Sequence, residues 1–163
     1  MPTDTPPSGT NSRPHPGFEI VRLKNSFDSF GVLVDFLSRR EPFSRFDLGN
    51  FSRALQHQLA EGFHAAAISG SRLVGYSGWL LTTDAIAAAW IAGKGPLAPA
   101  KDGEAAVLAV IASDDPRIVA ALIRQTRALN PGRRFHFRRD YAGGKRPTRK
   151  SSVRNVRGDT RPA

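Results

Sequence analysis

The apolar positions change their period several times along this chain, and each change marks an element. Phe18-Glu-Ile-Val-Arg-Leu23 alternates loosely, as a first strand does. Phe27, Phe30, Leu33, Val34 and Leu37 then recur at helical spacing, which predicts a helix capped by Asn25 or Ser26 and running to about Arg40. Pro42 closes it, because the residue before a proline is pushed out of the helical region. A second helix is expected over Leu48–Glu61, with Phe51, Leu55 and Leu59 on one stripe and Gly62 as its C-cap. Phe63–Ser69 and Arg72–Leu81 are apolar runs joined by Gly70-Ser71, a hairpin signal.

Thr82 or Thr83 caps a short alanine-rich helix through Ala92, and an irregular loop follows to Gly103. Ala105–Ala112 contains no polar residue, as expected of a strand buried on both faces. Asp114, Asp115 and Pro116 start a helix lined by Ile118, Val119, Leu122, Ile123 and Leu129 and ended by Asn130-Pro131-Gly132. Arg133–Tyr141 alternates basic residues with Phe135 and Phe137, a half-buried strand with a cationic outer face. After Gly143-Gly144, Thr148–Val156 returns as an edge strand. The order predicts one α/β domain over residues 18–156, a mixed, partly antiparallel sheet flanked by helices.

Composition adds the ends. Residues 1–17 hold five of the twelve prolines and almost nothing apolar, so they read as a disordered arm, and 157–163 as a basic tail. The chain has no cysteine, which removes disulfides, thiolate nucleophiles and cysteine metal sites. With no secretory signal and no apolar run long enough to span a bilayer, the expectation is a cytoplasmic protein without a membrane span. Of the net charge of +10, nine units fall in residues 133–163, where eleven Lys and Arg face two Asp. The cationic end, with Phe135, Phe137 and Tyr141 interleaved, suits an acidic partner or nonspecific contact with nucleic acid.

Candidate chemistry is sparse. Gly93-Lys-Gly-Pro lacks the Walker pattern, and no histidine or carboxylate spacing suggests a metal, so neither metal nor cofactor is expected. His15 lies in the arm, His57 on the polar side of a helix, and His136 beside the arginines, facing solvent. His64, at the start of a core strand, is the histidine expected near a cleft. Gly75 and Gly78, inside an apolar strand beside Trp79, mark close approach of another backbone or of a ligand.

Phe63-His-Ala-Ala-Ala-Ile-Ser-Gly-Ser-Arg-Leu-Val-Gly-Tyr-Ser-Gly-Trp-Leu-Leu-Thr82 resembles the central hairpin of the toxin-activating lysine acyltransferases. The similarity runs from about Phe18 to Arg154 and includes Pro42-Phe-Ser-Arg45, Ala89-Trp-Ile-Ala-Gly93, Gly103-Glu104 and Phe135–Tyr141 followed by Gly144-Lys-Arg. The resemblance implies an acetyltransferase-like (GNAT) fold. It also implies transfer of a fatty acyl group from acyl carrier protein to lysines of a protein acceptor. The family's catalytic histidine and aspartate have no counterpart here: Ser44 follows Pro42-Phe43, and Ala109 stands within the apolar strand. Ser44 and His64 are therefore the candidate catalytic residues, and Gly75, Gly78 and Trp79 the candidate acyl-channel strand. Arg133, Arg134, Arg138 and Arg139 are the candidate docking surface for an acidic carrier protein. Two alternatives stand beside this: a non-catalytic partner-binding domain and a basic nucleic-acid-binding accessory protein.

Overall fold

Each helix begins where a short polar side chain takes an otherwise orphaned backbone N–H. In a computed structural model, residues 17–139 and 149–154 are described, Arg139 and 149–154 as backbone alone. Ser26 caps α1 (Phe27–Ser38), Asp47 caps α2 (Leu48–Glu61), Thr83 caps α3 (Asp84–Ile91) and Asp115 caps α4 (Pro116–Ala128). The guanidinium of Arg117 holds the Asp115 carboxyl down at about 2, so the α4 cap stays ionised through the neutral range. Helix α1 stops two residues short of Arg40, because the Arg40 N–H bonds Leu37 O (2.9 Å) and tightens the last turn. A short 3-10 turn, Phe43–Arg45, follows the cis peptide Glu41–Pro42. Gly62, at φ +68°, ends α2 in the left-handed conformation that suits glycine.

The strands are β1 (Glu19–Val21), β2 (His64–Ser69), β3 (Arg72–Thr82), β4 (Ala105–Ser113), β5 (Arg134–Arg139) and β6 (Arg149–Arg154). They form one six-stranded sheet in chain order, antiparallel throughout except for the parallel β4–β5 pair. Strand β1 is shorter than the alternation suggests, since the Leu23 N–H leaves the ladder for His64 Nε2 (3.0 Å). Residues 1–16 of the expected arm (1–17), the Gly143-Gly144 turn, Tyr141 and the tail lie outside the described residues.

One face of the sheet packs against α4, through Ala65, Ala67 and Trp79 against Ile118 and Leu122. The other carries α1 and α2 over Ala66, Tyr76, Val110 and Ala112, and α3 over Ala105 and Val107. Among the described residues no helix is long and apolar enough to cross a membrane.

Helix α3 corrects one expectation. His136 is 3% exposed, not solvent-facing, because α3 lies across its strand and Asp84 Oδ1 sits 3.3 Å from His136 Nε2. Arg134 Nε lies 3.4 Å from the other oxygen of the same carboxylate. On this face of β5, His136 is covered by α3, while Arg134 stays exposed beside Asp84.

Candidate functional site

The apolar run of β4 is interrupted by a β-bulge that its composition conceals. Gly78 pairs with Val110 and Trp79 with Leu108, so Ala109 is an extra residue with no partner on β3. A bulge bends its strand and resets the alternation of side chains. Ala105, Val107, Val110 and Ala112 consequently share the face under α1, α2 and α3. Beyond the bulge β4 also leaves β5: the parallel ladder joins Ala105–Leu108 to Arg134–Phe137 and stops there. Every second residue after Leu108 is half-exposed, although the sequence reads as buried on both faces throughout.

The divergence opens a cleft of about 1220 Å³. Its floor is β4 from Leu108 to Ser113, with Val119 and Ile123 of α4 reaching it from the far face and Phe137 from β5. Phe43, Phe46 and Phe51 form one wall, their rings 5.3–5.8 Å apart in edge-on and stacked contacts. Trp90 and Leu97 form the opposite wall. Basic and acidic groups ring this apolar interior: Arg39, Arg40, Arg45 and Arg138 with Glu41, Asp47 and Asp114. Arg40 is fixed there, its guanidinium 3.8 Å above the Phe36 ring and bonded to Phe36 O (2.7 Å) and Asp114 Oδ2 (2.6 Å). An apolar slot with a few convergent polar groups is the usual form of a small-molecule site.

The two places to which the family resemblance leads meet at this cleft. Pro42, Phe43 and Arg45 line it from the turn, and Ala109 from the bulge. Ser44 itself is exposed, is not a lining residue, and donates its hydroxyl to Glu41 Oε1 at 3.3 Å.

His64 is placed elsewhere. It is 1% exposed, its Nε2 accepts from Leu23 N and its Nδ1 donates to Gln58 O at 3.0 Å. Both nitrogens thus fasten β1 and α2 to β2, and burial lowers the imidazole pKa below its ordinary 6.5. A group held neutral in the fold contributes stability in full above about pH 6.5 and loses it as pH falls further, because the unfolded chain then binds the extra proton. The expected result is a fall in unfolding free energy from pH 7 to 5, with folded His64 titrating by NMR at a lower pH than a histidine of the unfolded chain. Titration of folded His64 at or above the ordinary 6.5 would contradict this assignment.

The candidate channel strand is occupied by packing. A Cβ at Gly75 would lie 2.5 Å from Ile118 Cγ2, so that glycine admits α4, and one at Gly78 would overlap the Gln58 side-chain amide. Trp79 is 1% exposed and stacks on Phe63 at 6.4 Å. None of the three lines the cleft.

The arginines expected to dock a partner are divided. Arg133 Nε donates to Gly103 O (3.0 Å), Arg134 pairs with Asp84, and Arg138 lies 6.0 Å over the Trp90 ring at the edge of the cleft. The Arg139 side chain lies outside the described residues.

Sequence reading passed over Gln58 and the aromatic trio. Phe43 and Phe46 sit in a short connection, and Gln58 looks like an ordinary polar helix position. Among the described residues no group of three or more His, Asp or Glu side chains is arranged to hold a metal. No protein-family model matches the chain, and no curated protein does.

Proposed function

We propose that the cleft between β4 and β5 binds an acyl thioester, and that the protein transfers its acyl group to a lysine amine in the manner of the toxin-activating acyltransferases. One observation carries this reading: two parallel strands part at the Ala109 bulge and leave an apolar slot with both basic and acidic groups at its mouth. The slot suits an alkyl chain, and its Arg39, Arg45 and Arg138 rim suits an acidic carrier protein. In the reaction the lysine Nζ attacks the thioester carbonyl carbon. The N–C bond forms, the C–S bond breaks, and the thiol leaves with the amine proton.

Among the described residues no histidine lines the cleft, so the proposed transfer is written without an imidazole base. Transfer then depends on the small fraction of lysine already deprotonated and rises about tenfold per pH unit below the amine pKa near 10. The test mixes the protein with acyl carrier protein carrying a labelled fatty acyl group and an acceptor lysine peptide, from pH 7 to 9. Label in the peptide, increasing steeply with pH, supports the reading; a carrier complex with no transfer leaves the non-catalytic partner-binding alternative. That alternative is favoured by Ser44, whose hydroxyl meets a carboxylate and no base. Absence of both complex and transfer removes both readings. The nucleic-acid alternative rests on the cationic end of the chain, where Arg133 and Arg134 have internal partners.

A further inference from the structure

A single buried amide stands out along the cleft. Gln58, in the last turn of α2, is 2% exposed and lines the slot beside the bulge. Its main-chain carbonyl is taken by His64 Nδ1 and by the Phe63 N–H (2.9 Å), which fixes the backbone beneath the side chain. Its Oε1 accepts from the Tyr76 hydroxyl at 2.9 Å. Tyr76 is fully buried, and burial raises its pKa above the ordinary 10, so the phenol stays neutral and donating at every working pH. The orientation of the amide follows: Oε1 is committed to Tyr76, and Nε2 is the remaining end. Gly78 supplies the room, since any larger residue there would overlap the amide group. In the register of the sheet Gly78 stands opposite Val110, next to the bulged Ala109, so the amide lies over the β3 side of the bulge.

Among the described residues no acceptor takes the Nε2 hydrogens. Gln58 lines the slot, and a fixed, uncharged double donor at the surface of an apolar slot matches one ligand feature well: a carbonyl oxygen. We propose that Gln58 Nε2 binds the carbonyl oxygen of the acyl group and holds that carbon at the mouth of the slot, with Tyr76 as its positioning residue. This rests on the acyl-thioester reading above. It assigns the fixed donor to a side chain of α2, in addition to whatever the open edge of β4 provides.

The experiment uses two acyl-pantetheine analogues that cannot turn over, one with a ketone in place of the thioester and one with a methylene there. Calorimetry on the whole protein should give about tenfold tighter binding of the ketone, the worth of one hydrogen bond. Gln58→Met should reduce that preference to near unity while leaving methylene affinity unchanged, and Tyr76→Phe, which frees the amide to rotate, should reduce it about threefold. In the wild-type protein the Gln58 side-chain amide NMR signals should shift with the ketone and not with the methylene analogue. This last measurement stands even where a variant does not fold. Equal affinity of the wild-type protein for both analogues, or an undiminished preference in folded Gln58→Met, overturns the Gln58 assignment and leaves the acyl-thioester reading intact. Binding of neither analogue overturns that reading, and the assignment with it.

Discussion

Ala109→Trp is expected to weaken acyl-pantetheine binding about a hundredfold or more, since even one misplaced methylene in an apolar pocket costs from ten- to two-hundredfold. Ala109 also packs at the margin of the core beneath α1 and α2, so the fold should lose about 1–3 kcal/mol, as extra volume in a packed site costs, and still form. The asymmetry comes from the bulge. Ala109 is the residue of β4 with no partner on β3, half-exposed, and its neighbours on the floor are open to the cleft. Ala109 lines the slot, so a large side chain there occupies space that a ligand would need. The same change at Ala106, fully buried between β4, β5 and α4, would have no space to enter and would serve as the contrasting control. Titration of the ketone analogue and urea unfolding check the two halves of the expectation. Ligand binding by folded Ala109→Trp at wild-type affinity would place the acyl site elsewhere.

The second large effect is on stability. Gly103→Ala should cost about 3 kcal/mol, the upper part of the range for forcing extra volume into a packed site. A Cβ at Gly103 would overlap the backbone carbonyl of Thr82, and a strand backbone cannot move aside as a side-chain end can. The loop has no freedom to retreat either. Thr82 Oγ1 donates to Ala98 O (2.7 Å), Ala100 N to Leu81 O (2.9 Å), and Arg133 Nε to Gly103 O (3.0 Å), so three bonds pin it to the ends of β3 and β5. Gly75→Ala provides a scale: its Cβ meets Ile118 Cγ2 at 2.5 Å and Leu122 Cδ1 at 3.1 Å, which α4 relieves by a small shift, for about 1–2 kcal/mol. Denaturant midpoints should fall in that order with unchanged m-values. A Gly103→Ala protein within 1 kcal/mol of wild type would show that the loop yields.

Much of the architecture was legible because local signals were unambiguous. Ser26, Thr83 and Asp115 announce their helices, Gly62 ends one, and Gly70-Ser71 turns the β2–β3 hairpin over a register that runs from Ser69–Arg72 to His64–Gly78. The site was legible only in part, since each missing feature depends on two segments at once. The bulge at Ala109 is invisible in an all-apolar run, because alternation carries no information where every residue is apolar. Gly75 and Gly78 were recognised as close approaches, but which neighbour approaches, α4 for one and the Gln58 amide for the other, is a tertiary fact. His136 looked solvated among arginines until α3, an alanine-rich helix with a weakly polarised surface, was laid over it. Ser44 and Ala109 were found by resemblance; the turn and the bulge do converge on the cleft, while the serine hydroxyl is not on its surface.

The sheet is ordered as the chain is ordered, each strand bonded to the one before it and the one after. During synthesis, when the N-terminal end leaves the ribosome first, no strand therefore waits for a later one to take a place between its neighbours. The hairpin of β2 and β3 offers the edge on which β4 docks, and only the α4 crossover delays the arrival of β5. A nascent chain released just after β4 would present that strand's whole outer edge to other chains, the most adhesive moment in its assembly. In the finished protein β5 covers only the first part of that edge. The cleft is the stretch of nascent edge that folding never closes.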